Sequence, residues 1–384
     1  MKEIQLRFVK YVKDHLQLNS PLIQVIIGPR QVGKTTGIKQ LLEKFVLDEQ
    51  MYVSADGSIS RPHSWLEEQW HLARAKSPQC LLVIDEIQKV ENWSEIIKKL
   101  WDGQARQKQK IKLILLGSSS LMLQDGLTES LTGRFLLHRV FHWDPLESEQ
   151  AYAVSLEQFL VLGGYPGSYV LAQTDWLTYM KTSIVDTVIG RDILSQSRVK
   201  SPALFRQCFD LALSYGGQEI SYNKLLGQLQ EKGNVELVKH YLDLFERAFL
   251  LKQLYKFTEK KRLSRTSSPK ILPLCPALYS LQFDGELTDE RKGRAFEITI
   301  GSMLARLPGE LFYWREKNFE VDYIYKFKNR VVAIEVKNGH KKKVMGVSKF
   351  GEKFPKAEVW IVTPENYRSI LKQFGYDFSA LPEV

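Results

Sequence analysis

The chain is poor in cysteine. Its 384 residues include only Cys80, Cys208 and Cys275, an odd number at wide spacing. That excludes a disulfide framework and a cysteine-based metal knuckle, and it fits a reducing compartment. Also missing is any apolar run approaching the ~20 residues that a membrane-spanning helix needs. The N-terminal stretch "MKEIQLRFVKYVKDHLQ" sets Ile4, Phe8, Val9 and Val12 among charges, the pattern of an amphipathic helix and not of a signal peptide. There are no internal repeats, and the one biased segment is a basic, serine-rich stretch at 255–270. These absences lead us to expect a cytoplasmic protein with no membrane partner.

What remains is the composition of a globular protein, 44% hydrophobic and 26% charged, with a length suited to two or three domains. A chain of this size buries enough core to fold without a covalent or metal staple. Lys and Arg total 54 against 44 acidic residues, a formal charge of +10. Such a balance favours polyanionic partners, although many soluble proteins are mildly basic and the charge has no bearing on fold.

From about residue 20 to 145 the sequence alternates short apolar runs with helical patterns. The runs are "LIQVIIG", "MYVSAD", "CLLVIDE", "KLILLGSSS" and "RFLLHRVF". Continuous apolar runs of this kind suit parallel strands buried on both faces, with helices on either side. "HWDPLESEQ" interrupts the pattern, and helical segments follow, joined by "LGGYPG". Residues 200–257 read as three helices, the middle one capped by Ser221, in the manner of a winged-helix unit or of a helical packing module. From about 290 onward the order is helix, three strands, helix, strand, helix.

"GPRQVGKT" fits G-x-x-x-x-G-K-[ST], lying between an apolar strand and a helix. In that setting Gly28, Pro29, Arg30, Gln31, Val32, Gly33, Lys34, Thr35 and Thr36 form a loop whose amides face the phosphates of ATP. Lys34 would reach the β- and γ-phosphates and Thr35 would hold Mg2+. "LLVIDEIQ" places Asp85 at the carboxyl end of a buried strand, where it would position the ion, and Glu86 beside it would activate water. Ser118, in "LLGSSS", is a candidate polar sensor or part of a serine-rich turn. Arg134, in "SLTGRF", could meet a γ-phosphate in its own or a neighbouring copy's site, or a surface carboxylate. Pro166, in "GGYP", could stack on adenine or simply join two helices.

The stretch "VDYIYKFKNRVVAIEVKNG" reads as a hairpin. An even-numbered loop, Asn329–Arg330 or 327–330, puts Asp322, Glu335 and Lys337 on one face. Two carboxylates and a lysine so placed can bind Mg2+ and act on a phosphodiester; the pattern resembles the D…E-x-K of restriction-endonuclease-like folds, which implies Glu297, on a preceding helix, as a further metal ligand. The same residues could instead be solvated charges on an exposed strand face. Lys341, Lys342 and Lys343 follow as a further basic run.

In order, "GPRQVGKTT", "LLVIDEIQKVENW", "LLGSSS", "ESLTGRF", "LGGYP", "GRDIL" and "FEITIGSML…FYWREKNFEVDYIY…IEVKNG" resemble a prokaryotic family of AAA-like ATPases related to signal-transduction ATPases with numerous domains. The resemblance covers nearly the whole chain. It implies an α/β fold with a P-loop AAA+ parallel sheet at 1–145, a helical lid at 146–200 and a winged-helix-like module with a basic linker at 201–270. At 271–384 it implies a mixed α/β restriction-endonuclease-like domain of the PD-(D/E)XK type. The family pattern has an acidic residue near Pro276, and this chain has none. Two functions follow as expectations. One is an ATPase that binds and processes DNA, with a possible nuclease. The other is a nucleotide-dependent switch for a protein partner, with an inactive nuclease-like domain. A homo-oligomer is compatible with both.

Overall fold

The computed structural model describes residues 3–17, 22–57, 61–117, 126–127, 130–194, 199–230, 233–258, 267–338 and 345–376. These fall into two compact units. The first holds the described residues up to Phe141 and those of 187–194, and the second holds 142–186 and 199–376. This division differs from the four segments expected. The stretch expected as a separate lid is shared between the units, its residues up to Asp186 going with the second.

In the first unit α1 (Arg7–Leu16) precedes β1 (Ile23–Ile27), α2 (Lys34–Leu42), β2 (Gln50–Ser54), α3 (His63–Lys76), β3 (Leu81–Asp85), α4 (Trp93–Gly103), β4 (Lys112–Gly117) and β5 (Phe135–Arg139). The five strands form one sheet in the order β2-β3-β4-β1-β5, with every pairing parallel. Burial explains the apolar runs. All five residues of both β1 and β3 are buried, whereas β2 and β5, at the edges, are half-buried. The carboxyl ends of β1 and β3 lie on the same edge, where parallel sheets bind ligands. Phe8, Val9 and Val12 of α1 are buried, and Phe8 and Val9 leave room at α2 for nothing larger than Gly37.

The second unit opens with α5 (Pro145–Tyr152), which has Pro145 at its first position and a reciprocal capping box of Asp144 and Glu147. "HWDPLESEQ" is thus a helix start as well as a break in the strand pattern. After α6 (Leu156–Leu162), Gly163 takes φ +65, and a side chain there would strike Cys275 and Ala277. Gly164 has backbone of Trp143 where its Cβ would be. The glycines of "LGGYP" therefore permit close packing inside this unit, and Pro166 begins a short turn, Pro166–Ser168. Next come α7 (Gln173–Thr178), α8 (Pro202–Ser214), α9 (Tyr222–Gly227) and α10 (Val235–Arg247), the last three capped by Ser201, Ser221 and Asn234. A two-stranded antiparallel ribbon, β6 (Leu251–Leu254) with β7 (Lys270–Pro273), follows.

The final part runs α11 (Pro276–Ser280), α12 (Asp289–Leu304), β8 (Glu310–Glu316), β9 (Phe319–Phe327), β10 (Arg330–Val336), α13 (Met345–Lys353), β11 (Glu358–Val362) and α14 (Tyr367–Gln373). Its sheet has the order β11-β10-β9-β8. The strands β8, β9 and β10 are antiparallel and β11 is parallel to β10. Trp314, Val321, Ile324 and Ala333 pack with Val347 and Phe350 of α13 in its core. Both faces of β10 are therefore covered, and the reading of one outer face as solvated is corrected at Ala333, which is fully buried.

Candidate nucleotide site and carboxylate cluster

The loop between β1 and α2 is shaped by its two glycines. A Cβ on Gly28 would lie 2.3 Å from the Val140 carbonyl oxygen, so no other residue fits there. Gly33 has φ +86 and Gln31 has φ 62, so two of the loop's residues are left-handed just before the helix begins. Such a turn points successive amides inward, into a cradle for anions at the helix N-terminus. Pro29 and Val32 are buried, Gln31 and Thr36 are exposed, and Arg30 is partly buried.

Lys34 is buried, and its ammonium donates to the carbonyls of Gly28 at 2.9 Å and Pro29 at 2.6 Å. Burial lowers its pKa to about 8, against the opposing pull of the Glu86 and Asp85 carboxylates. Thr35 Oγ1 donates to Asp85 Oδ2 at 2.8 Å, which brings the two expected Mg2+ contacts together across 50 residues. Asp85 Oδ1 accepts the Glu86 amide at 2.8 Å. Glu86 has φ 53, and its Oε2 accepts from Gln88 Nε2 at 2.6 Å. The glycine cradle, the buried ammonium and the adjoining hydroxyl and carboxylate fit a nucleotide phosphate chain and its ion.

Two residues of this site carry no motif. Tyr52, on neighbouring β2, donates its hydroxyl to Asp85 Oδ2 at 2.7 Å. Its strand pairs with β3 so that Ser54 is opposite Asp85, and a tyrosine two residues back is long enough to reach. Asp192 accepts from Arg30 Nε at 2.7 Å and from its terminal nitrogen at 2.6 Å. The sequence "GRDIL" contains Asp192, but nothing in its spacing connects it to the loop.

Arg134 is placed elsewhere. It forms a two-point pair with Asp102 at 2.7 and 2.8 Å, and its carbonyl accepts the amide of Ile23. Ile23 begins β1, so Arg134 lies at the amino edge of the sheet. At about 3.3 Å per strand residue that is roughly 15 Å from the phosphate loop. A role for Arg134 in its own chain's site is thereby excluded, because strand direction places it at the wrong end. Ser118, like Lys341, Lys342 and Lys343, lies outside the described residues. Pro166 belongs to the second unit.

The second unit brings its predicted carboxylates together, in the register of the expected 327–330 loop, with Val331 opposite Lys326. Phe327 pairs with Arg330, leaving Lys328–Asn329 as the loop, with Lys328 at φ 52. The pairing of Ile334 with Tyr323 carries on to Glu335 opposite Asp322. Asp322 Oδ2 accepts the Val336 amide at 2.8 Å, and Lys337 donates to Glu335 Oε1 at 2.5 Å. Burial and then Asp322 push the Glu335 carboxyl up to about 7, with Lys337 opposing. On α12, Glu297 accepts from Arg294 at 2.6 Å.

A lysine that sequence reading assigned to the linker completes this cluster. Lys270 opens β7 with its side chain 1% exposed, and its ammonium lies 2.7 Å from Glu297 Oε1, 3.8 Å from Asp322 Oδ1 and 4.0 Å from Glu320 Oε1. Burial by itself would lower its pKa, but the three carboxylates outweigh burial and raise it. Among the described residues no group of three or more His, Cys, Asp and Glu is disposed to hold a metal ion. The Lys270 ammonium stands among Glu297, Asp322 and Glu320, three carboxylates that include two of the expected metal ligands, while Glu335 Oε2 is buried with no hydrogen-bond partner among the described residues. The one available signal was a lysine at the head of the apolar run "KILP". Beside the cluster a cavity of about 760 Å³ is lined by Gln218, Arg291, Arg294, Glu297, Lys337 and Asn338, among others.

Residues 20–148 match the AAA domain family, 153–281 a domain of unknown function (DUF8612) and 292–378 another (DUF4143). An uncharacterised protein of Methanocaldococcus jannaschii is 26% identical over 330 residues, covering 79% of this chain and 71% of that protein. An uncharacterised protein of Haemophilus influenzae is 24% identical over 265 residues, covering 62% of this chain and 64% of its own length. The solved Walker-type ATPase of Pyrococcus abyssi is similar in fold, with TM-score 0.51 and 15% identity, covering 74% of this chain and 99% of that one. The AAA match covers the loop and strand ends described above and supports ATPase activity there. No helix among the described residues is long and apolar enough to cross a membrane.

Proposed function

We propose that this chain is a Mg2+-dependent ATP hydrolase whose second unit engages DNA. The observation that carries the hydrolase reading is the 2.8 Å bond from Thr35 to Asp85 beside the glycine loop. Mg2+ bound there would neutralise charge on the phosphates. Lys34 would exchange the Gly28 and Pro29 carbonyls for phosphate oxygens, Thr35 and Asp85 would hold the ion, and Glu86, released from Gln88, would orient the attacking water. Arg134 remains a candidate finger toward a neighbouring copy.

The DNA reading is supported by the formal charge of +10 and by the cations Arg291, Arg294 and Lys337 around one cavity of the second unit, which Asp289, Glu290 and Glu297 also line. Three helices followed by a ribbon suit a winged-helix module, and α12 with β8–β11 suits a restriction-endonuclease-like fold. The free, buried cysteines agree with a cytoplasmic setting. The test is ATP turnover with single-stranded, double-stranded and branched DNA, with Lys34→Ala as control. Stimulation by at least one DNA is expected, and turnover indifferent to all three rules the DNA role out.

A second reading, a nucleotide-dependent switch that docks a protein partner, is favoured by α10. Its Glu236 pairs with Lys239, Asp243 accepts from Gln253, and Glu246 binds Lys252 and the Gln253 amide. Several polar groups of the helix are thus engaged within the protein, unlike a helix that spares a face for bases. A DNA affinity that falls steeply with salt favours the first reading, and no salt-sensitive binding favours the second.

A further inference from the structure

We infer that Lys270 is the permanent cation of the second unit's carboxylate cluster, holding the place that a divalent metal ion takes in a phosphodiester-cleaving site. Three elements meet at its ammonium: β7, which carries it, α12 with Glu297, and β9 with Asp322 and Glu320. The ammonium also lies 5.0 Å from the centre of the Tyr323 ring, and it donates to the Asp322 carbonyl at 3.3 Å. Tyr323 in turn donates its hydroxyl to the Glu297 carbonyl at 2.9 Å, so β9 and α12 are tied together around the lysine.

Other oxygens of the cluster accept from protein donors, although Glu335 Oε2 is buried with no hydrogen-bond partner among the described residues. Glu297 Oε2 accepts from Arg294, whose guanidinium also donates to the Gly217 carbonyl at 2.8 Å. Asp322 Oδ2 accepts the Val336 amide and Glu335 Oε1 accepts from Lys337. A hard divalent cation needs several oxygens free to converge at about 2.0–2.6 Å. Here the buried ammonium of Lys270 stands between Glu297 and Asp322 and supplies the positive charge that a divalent ion would bring there. In this cluster Lys270 therefore stands where a divalent ion would sit between Glu297 and Asp322, and metal-dependent cleavage there is not expected.

The test is a Mn2+ titration of the full chain, followed by electron paramagnetic resonance, without nucleotide or DNA. Wild type and Asp322→Asn should bind the same amount of Mn2+, since a weak site at Thr35 and Asp85 is common to both. Lys270→Met should gain one bound ion, with affinity falling roughly 10- to 100-fold when Asp322→Asn is added. A wild-type chain that binds an ion which Asp322→Asn loses would overturn the inference. So would a folded Lys270→Met chain that gains none. Should that variant fail to fold, the comparison of wild type with Asp322→Asn decides the question alone. Because the probe excludes nucleotide and DNA, failure here leaves the ATPase and DNA reading standing.

Discussion

Arg30 in the phosphate loop grips Asp192 through two hydrogen bonds of 2.7 and 2.6 Å, joining residues 162 positions apart in sequence. The Asp192 side chain is 7% exposed and the Arg30 side chain 27%, so the pair is shielded enough to matter. The helical segment Val188–Leu194 thereby holds the loop that receives the nucleotide.

Asp192→Asn keeps the shape and removes the charge. It should cost about 1.5–3 kcal/mol of stability, as for hydrogen bonds to charged groups. It should also raise KM for ATP more than it lowers kcat, because the loop and not the chemistry is loosened. Urea unfolding and steady-state kinetics on one preparation check both effects.

Lys34→Ala and Glu86→Gln should separate binding from turnover. The first removes the buried ammonium, so nucleotide binding and hydrolysis are both lost. The second leaves the loop intact and should retain nucleotide binding while turnover falls roughly 10²- to 10⁴-fold. Fluorescent nucleotide binding alongside phosphate release distinguishes them. Equal loss of binding in both variants would count against Glu86 as the base.

Acid should weaken the first unit through His138. Its ring nitrogen bonds Gln24 Oε1 at 2.7 Å, and burial, with a smaller contribution from His15, lowers its pKa to about 4. Between pH 6.5 and 4 the unfolded chain binds the proton and the folded chain does not, so stability rises with pH across that window and is lost as pH falls. The loss is on the order of 2 kcal/mol once solvent screening is allowed for. Thermal unfolding of wild type and His138→Gln from pH 7 to 4 should show a flatter profile for the variant.

Lys270 and Glu297 should be strongly coupled. Lys270→Met leaves buried carboxylates without their cation and should cost roughly 3–5 kcal/mol. Adding Glu297→Gln should restore part of that, because a neutral amide needs no counter-charge. A double-mutant cycle by denaturant unfolding measures the coupling, and additive effects would show that the two groups do not interact.

The cavity beside the cluster tests DNA contact directly. Arg291→Ala and Lys337→Ala should each weaken DNA binding across all sequences and reduce the slope of log affinity against log salt by about one. Fluorescence anisotropy over a salt series provides the reading.

The nucleotide loop and the strand order around it were legible because their information is local. Gly28, Gly33, Lys34 and Thr35 are close neighbours in sequence, and Asp85 ends an apolar run that can only be a buried strand. Alternation along β9 and β10 likewise foretold that Asp322 and Glu335 share a face, since both expected loops and the observed Lys328–Asn329 loop have an even number of residues. Which residues share a face across a hairpin depends on the parity of the loop length, so any even loop gives this result and an odd one does not.

Other relationships depend on distant segments meeting, and no spacing encodes them. Strand direction removed Arg134 from the phosphate edge, and sheet register brought Tyr52 to Asp85. A helix beyond residue 186 delivered Asp192 to Arg30. Lys270, placed by the sequence in a solvated linker, became the buried centre of the carboxylates. By itself the sequence determined where phosphate can be held and which carboxylates can converge, since both follow from short-range backbone geometry. Only the tertiary structure decided what stands among those carboxylates, because desolvation and charge at a buried point are set by every segment that packs there.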